Sequence, residues 1–209
     1  MNKLLLVVSK QNKYLGQVDK IIKESSFECK YAFIEDNFTY ENYIIYSYTK
    51  LDDINKNVIN YKFYQNYKSK LEVQQLLSNN NIATPKILHK INNEAYLKEN
   101  KHEGLVKLIN NINQIDIDDY YLEEVIYGTE SKYYFVFNKL FDKNKEIIDK
   151  SLLKLANDIK NILYLEVFSF DVIHKENINY VIDVNISPGF YKSDISRFYF
   201  INKVKDMKR

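Results

Sequence analysis

LEVFSFDVIHKENINYVIDVNISPGFY, residues 165–191, reads as a β-hairpin. Two runs rich in Val, Ile, Phe and Tyr, 165–173 and 180–185, flank a polar turn over 175–179. Folding about that turn sets Asp171 roughly opposite Asp183, and facing residues of an antiparallel pair lie about 4.5–5.5 Å apart. Strand period also puts Asn185 on the face of Asp183, one step further along. Two carboxylates held face to face in apolar strands repel, so either one is protonated or a cation sits between them. An all-oxygen set of Asp171, Asp183 and Asn185 suits Mg²⁺, which takes one or two carboxylates and leaves room for phosphate oxygens. Mn²⁺ is the alternative ion. Pro188 and Gly189 end the second strand sharply. The bland alternative is a surface hairpin whose polar residues face water.

Composition narrows the setting of this hairpin. A chain of 209 residues, 45% hydrophobic and 28% charged, has room for one domain or two small ones around a real core. Its net charge of +2 implies no strongly basic face, which argues against nucleic acid as an obligate partner. The single cysteine, Cys29, cannot form an intramolecular disulfide, as expected of a cytoplasmic protein. The apolar run 4–8 near the start is shorter than the 7–15 residues of a signal-peptide core and reads as a buried first strand. No run approaches the roughly 18 residues of a membrane span, so no membrane partner is expected. No Walker-type loop and no zinc-ligand spacing occur.

Taken in order, residues 3–9 read as a strand, 17–25 as a short helix, and 31–34 and 43–48 as further strands. That alternation predicts a small α/β layer with a parallel sheet over residues 1–66. The polar stretch 52–66 reads as a boundary, with a second domain over 67–209. Ser69 and Glu72 form a capping box opening a helix with Leu71, Val73, Leu76 and Leu77 on one face. Lys70 in its first turn opposes the helix dipole, which favours a functional reason over a merely solvated lysine. Residues 94–98 and 120–127 read as strands, 132–141 as another, and 151–164 as an amphipathic helix behind Ser151.

The ending Asp183-Val184-Asn185-Ile186-Ser187-Pro188-Gly189 resembles the metal-binding hairpin of the ATP-grasp enzymes, acid-x-Asn-x-x-Pro-Gly. The resemblance runs from about Lys70 to Tyr191 and implies an ATP-grasp fold with a small preceding α/β lobe. It implies that Lys70 and Lys98 reach the nucleotide phosphates and that Glu123, Glu124, Val125 and Ile126 form the strand that binds adenine. It implies that Glu130, seven residues after Glu123 and two after Gly128, holds the ribose hydroxyls, for which a carboxylate is suited. Asp171, Asp183 and Asn185 become the Mg²⁺ ligands, and Lys132 and His102 the catalytic or acceptor-side groups. Two departures stand out. The first metal position of the second strand is Asp where many family ligases have Glu, as in the ATP-grasp inositol polyphosphate kinases. The loop 99–104, where a glycine-rich flap normally closes, has one glycine, Gly104.

The shared chemistry is attack of an acceptor oxygen on the γ-phosphate of ATP. A carboxylate acceptor gives an acylphosphate and a ligase, the reading preferred because ligases are commoner in the family. A hydroxyl acceptor gives a kinase. A nucleotide-binding protein without turnover is the third reading. Lys132, His102, Lys192 and Arg197 are expected to make the acceptor pocket cationic and its substrate a small anion. Homodimerisation stays open.

Overall fold

The computed structural model of the chain describes residues 2–11, 15–36, 41–51, 54–66, 68–91, 93–102, 104–110, 119–190 and 192–207. In chain order its elements are β1 (Leu4–Val8), α1 (Leu15–Glu24), β2 (Cys29–Phe33), β3 (Ile44–Ser47), α2 (Tyr61–Gln65), α3 (Lys70–Asn79), β4 (Ile87–Leu88), β5 (Ala95–Glu99), β6 (Val106–Ile109), β7 (Tyr120–Glu123), β8 (Thr129–Val136), β9 (Lys139–Phe141), β10 (Glu146–Ile147), α4 (Lys150–Leu163), β11 (Val167–Lys175), β12 (Ile178–Asn185) and α5 (Asp194–Asp206). They fall into two compact units, neither continuous in sequence. One comprises Met1–Asn66, Tyr133–Ser169 and Ile186–Arg209, the other Tyr67–Lys132 and Phe170–Asn185. No described helix is long and apolar enough to cross a membrane.

The first unit contains a parallel sheet in the order β2-β1-β3. Its central strand, Leu-Leu-Leu-Val-Val, is buried along its whole length, the continuous apolar run that a parallel strand covered on both faces requires. The apolar face of α1 buries Val18 and Ile21 in the same core. Tyr46 stacks at 6.1 Å on Phe190 and meets Phe200 at 4.9 Å, while its hydroxyl donates to the Pro188 carbonyl at 2.9 Å.

Four sequence expectations change here. The polar stretch 52–66 contains α2, which buries Phe63 and Tyr64 among lysines and asparagines. The expected strand 132–141 is two strands, β8 and β9, because Phe137 and Asn138 adopt φ of 45° and 76° and turn the chain back. Helix α4 begins one residue early: Asp149, not Ser151, is the cap, accepting from the Ser151 and Leu152 amides at 2.9 Å. Helix α5, capped by Ser193, has no counterpart among the helices expected from the sequence. It carries Arg197, which is 3% exposed and paired with Glu24 at 2.8 Å and Asp194 at 2.7 Å. Arg197 is thus committed to two carboxylates of its own unit and corrects the expectation that it lends charge to an acceptor pocket.

The second unit is built on a four-stranded sheet in the order β4-β7-β5-β6 whose neighbours are all antiparallel. Strand alternation divides its faces. Ala95, Leu97 and Leu122 point to a small apolar core with Leu88, Ile91, Ile109 and Tyr120. Tyr96 and Lys98 of β5, and Tyr121 and Glu123 of β7, occupy the other face, with Tyr96 opposite Glu123 and Lys98 opposite Tyr121. Helix α3 forms as its sequence predicts: Ser69 accepts from the Glu72 amide and Glu72 bonds back to the Ser69 amide at 2.7 Å. The hairpin turn is tighter than expected, Glu176-Asn177, with Glu176 at φ 54°. A third sheet has the order β10-β9-β8-β11-β12.

Candidate functional site

The polar face of the second unit's sheet lines a cleft of about 280 Å³. Its walls carry Lys70, Lys98, Glu123, Glu124, Glu130, Asp171 and Asp183 beside the apolar Pro85, Tyr96, Val106, Ile126, Ile173 and Ile182. These residues come from α3 and the segment after it, β5, β6, β7 and the segment after it, β8, β11 and β12, so folding gathers charges spread over more than a hundred residues of sequence.

Each cleft lysine is paired with a carboxylate. Lys70 Nζ lies 2.9 Å from Asp183 Oδ1. Lys98 Nζ pairs with Glu123 and donates to the Ile182 carbonyl at 2.8 Å. Lys132, in β8, approaches the cleft through Asp171, donating to Oδ1 at 2.8 Å and Oδ2 at 2.9 Å. The Lys98–Glu123 pair is the most deeply buried, at 7% and 1% side-chain exposure. Removing both ions from water costs several kcal/mol per ion, offset only by their contact and by further hydrogen bonds. The offset is incomplete, because Glu123 Oε1 is buried without a hydrogen-bond partner.

The carboxylates feel these surroundings differently. Burial pushes the Glu123 carboxyl above its ordinary range against the pull of Lys98. Burial likewise raises Asp171; Lys132 opposes it, and the charges of Asp183 and Glu130 add to it. For Asp183 burial also disfavours ionisation, but Lys70, reinforced by Lys98 and Lys132, outweighs it and holds the carboxyl below its ordinary value. The expected mutual repulsion of Asp171 and Asp183 is therefore present, with a lysine ammonium bound to each.

The donor chemistry fits a divalent ion. Both aspartates are half-buried, each already takes a cation at hydrogen-bond distance, and Mg²⁺ needs no more than one or two carboxylates from the protein. Among the described residues no group of three or more His, Cys, Asp and Glu is assembled. Asn185, half-buried at the end of β12, is not among the cleft-lining residues; neither are Val125 and His102. The His102 Nε2 lies 3.0 Å from the Lys68 carbonyl, and Asn100 Oδ1 accepts from the Leu71 amide at 2.9 Å, so the loop after β5 is docked on the start of α3.

Around Glu123 the expected strand 120–127 stops: β7 ends at Glu123, and 124–127 continue without strand pairing. Ile126 is buried and Glu124 is held by hydrogen bonds with Lys86. Gly128 follows where the backbone passes the hairpin so closely that a Cβ would stand 2.3 Å from the His174 carbonyl oxygen. Only glycine fits that approach. The apolar walls Tyr96, Ile173 and Ile182 were not foreseen. Strand alternation was the available signal for two of them, since Tyr96 precedes Lys98 by two residues and Ile173 follows Asp171 by two.

No protein-family model matches the sequence, and no curated protein matches it. Solved structures do. D-alanine–D-alanine ligase from Bacillus anthracis is 13% identical, with a TM-score of 0.70 over 99% of this chain and 97% of that one. The ATP-grasp ligase PsnB, complexed with a phosphomimetic variant of a minimal precursor, Mg and ADP, is 10% identical, with a TM-score of 0.71 over 98% and 97%. A RiPP-associated ATP-grasp ligase from Chryseobacterium gregarium, in complex with ADP and a leader and core peptide, is 12% identical, with a TM-score of 0.63 over 100% and 98%. At such identities the likeness establishes the architecture: the chain has the ATP-grasp fold.

Proposed function

We propose that the chain is an ATP-dependent enzyme that binds Mg·ATP in the cleft of the second unit and phosphorylates a small anionic acceptor. The observation that carries this reading is the convergence of three lysine–carboxylate pairs on one cleft with an apolar wall. Ile126, Ile173, Ile182 and Val106 suit the flat faces of a purine, and the buried, unpartnered Glu123 Oε1 is an acceptor for an exocyclic amine. Glu130 accepts hydrogen bonds from vicinal ribose hydroxyls. Lys70 and Lys98 offer ammonium charge to the phosphates, and Asp171 and Asp183, with Asn185, hold the metal. When bound, Mg²⁺ neutralises charge on the phosphate oxygens. On this reading residues 1–66 form the lobe preceding a nucleotide-binding domain over 67–209, and Lys132 and His102 serve the acceptor side. The comparison structures solved with ADP, Mg or peptide support the nucleotide part of this assignment.

The leading reaction is ligation. An acceptor carboxylate oxygen bonds to the γ-phosphorus, the bond to the β–γ bridging oxygen breaks and ADP departs; an amine then attacks the acyl carbon and phosphate leaves. A kinase reading has its own observation: Asp rather than Glu at position 183, with Lys132 seated on Asp171. The test has two stages. Nucleotide is expected to raise the melting temperature only with Mg²⁺ present, and no shift with ATP or ADP plus metal overturns the assignment. Turnover with candidate acceptors in hydroxylamine then yields a hydroxamate from a ligase. A kinase yields ADP and a stable phosphorylated product, and an inactive binder yields neither.

A further inference from the structure

The first unit contains a cavity of about 540 Å³, larger than the cleft of the second and sharing no lining residue with it. Its walls are fixed by hydrogen bonds to the main chain. Residues 57–59 run alongside β3, the Ile45 amide donating to the Asn57 carbonyl at 2.9 Å and the Ile59 amide to the Ile45 carbonyl at 2.8 Å. The Phe137 amide donates to the Glu166 carbonyl at 2.9 Å. Asn2 Nδ2 holds the end of α5 through the Val204 and Lys205 carbonyls at 2.9 and 3.1 Å. Onto this frame Ile44, Val58, Phe137 and Met207 bring apolar surface. A preformed, mainly apolar cavity of this size with a few polar groups has the makings of a small-molecule site.

The polar lining is one-sided. The Lys56 ammonium, the Asn57 side-chain amide and the Tyr61 hydroxyl have no hydrogen-bond or ion-pair partner among the described residues. Asn57 and Tyr61 are half-buried, where an unmet donor is costly. The acceptors are already engaged. Glu166 pairs with Lys160 at 3.3 Å, and both ends of the Asn60 amide are taken up by backbone groups at 2.6, 2.9, 2.7 and 3.0 Å. Open donors, one of them a cation, beside apolar walls match an anion with an apolar body. A single lysine with no arginine balances one negative charge rather than a phosphate dianion. We propose that this cavity binds a small apolar monocarboxylate, its hydrocarbon body against Ile44, Val58, Phe137 and Met207 and its carboxylate on Lys56, Asn57 and Tyr61. The site belongs to the first unit and does not depend on the nucleotide reading of the second.

The experiment titrates the full chain with hexanoate and octanoate by isothermal calorimetry, with octan-1-ol and octylamine as head-group controls. Octanoate is expected to fill one saturable site and to raise the melting temperature. Hexanoate, shorter by two methylenes, is expected to bind about tenfold more weakly. Octan-1-ol and octylamine are expected to bind at least about tenfold more weakly than octanoate. Lys56→Met is expected to weaken octanoate about tenfold and Tyr61→Phe about threefold. Lys154→Met, which breaks the exposed pair with Asp158 away from the cavity lining, controls for a general charge effect and is expected to match wild type. The wild-type series needs no variant to fold, and a melting curve checks each variant. No saturable octanoate binding at millimolar concentration, octylamine binding as tightly as octanoate, or equal affinity in Lys56→Met and Lys154→Met overturns the inference. Each of these leaves the nucleotide assignment standing, because ADP binding is read separately.

Discussion

Lys132 holds Asp171 by both carboxylate oxygens, at 2.8 and 2.9 Å, two residues after the glutamate that faces the cleft beside it. The pair links β8 to β11 and changes what substitution of the aspartates is expected to do. A bare carboxylate pair would be relieved equally by removing either charge. Here the two aspartates are shifted in opposite directions, and their substitutions are expected to differ accordingly.

Burial raises Asp171, so the folded protein holds its proton to higher pH than the unfolded chain does. Its ionisation therefore works against folding as pH rises above the ordinary aspartate value of 3.8. Asp183 is held below that value, so its contribution is fully present above it and is lost as pH falls through the lower folded value. Metal-free Asp171→Asn is expected to be as stable as wild type at pH 7 or slightly more so, an advantage that disappears in acid. Asp183→Asn is expected to lose about 0.5–1 kcal/mol at pH 7, with the gap closing in acid. Melting temperatures against pH decide this, and both variants are expected to lose turnover. Equal shifts of the same sign would show that the lysine pairing does not govern these groups.

Lys98→Met takes the paired ammonium from the buried Glu123 carboxylate and leaves it only Tyr121 and the charge of Lys70. Breaking a buried pair from one side costs about 3–5 kcal/mol. The carboxyl, already raised by burial, rises further, so the variant's stability declines as pH increases above the ordinary glutamate value of 4.5. Urea unfolding at pH 5 and pH 8 measures it; a deficit independent of pH would mean Glu123 stays ionised without its partner.

Gly128→Ala places a methyl 2.3 Å from the His174 carbonyl oxygen and 2.7 Å from Ile173 Cγ2. The strands must part, at about 1–3 kcal/mol, and Glu130 two residues on shifts with them. Lower urea stability together with weaker ADP binding is the expected pair of results. Unchanged stability would mean that the close approach is relieved at no cost.

Asn60 ties the first unit together with four side-chain hydrogen bonds. It donates to the Val167 and Ile186 carbonyls at 2.6 and 2.9 Å and accepts from the Glu166 and Val167 amides at 2.7 and 3.0 Å. It does so at φ 67°, a conformation asparagine tolerates. Asn60→Ala strands buried backbone groups and strains the turn, for an expected loss of about 3 kcal/mol or more. Asn60→Asp is expected to be destabilising too, because its carboxylate would face two carbonyls. Chemical denaturation of both variants checks the assignment; a mild effect in each would show that water replaces the side chain.

Local chemistry made much of this legible in advance. The uninterrupted apolar run of β1, the Ser69–Glu72 capping box and the alternating hairpin strands each carry their own reason for forming, and each formed. The family resemblance, more than any local pattern, singled out Lys70, Lys98, Glu130, Asp171 and Asp183, and these residues line the cleft. Weaker local signals were misleading. Lysine- and asparagine-rich surroundings hid α2, and β8 and β9 looked like one strand because nothing in Val136-Phe137-Asn138-Lys139 announces a turn except an asparagine.

The sequence by itself thus determined which side chains carry charge, that β1 is a buried strand and where helix α3 begins, because those properties depend on neighbours a few residues away. Only the tertiary structure decided the partners. That Lys70 meets Asp183, Lys98 meets Glu123 and Lys132 meets Asp171 follows from bringing α3, β5, β7, β8 and the hairpin around one cleft. Coulomb attraction and burial act through space, over separations of 25 to 113 residues that no local pattern encodes.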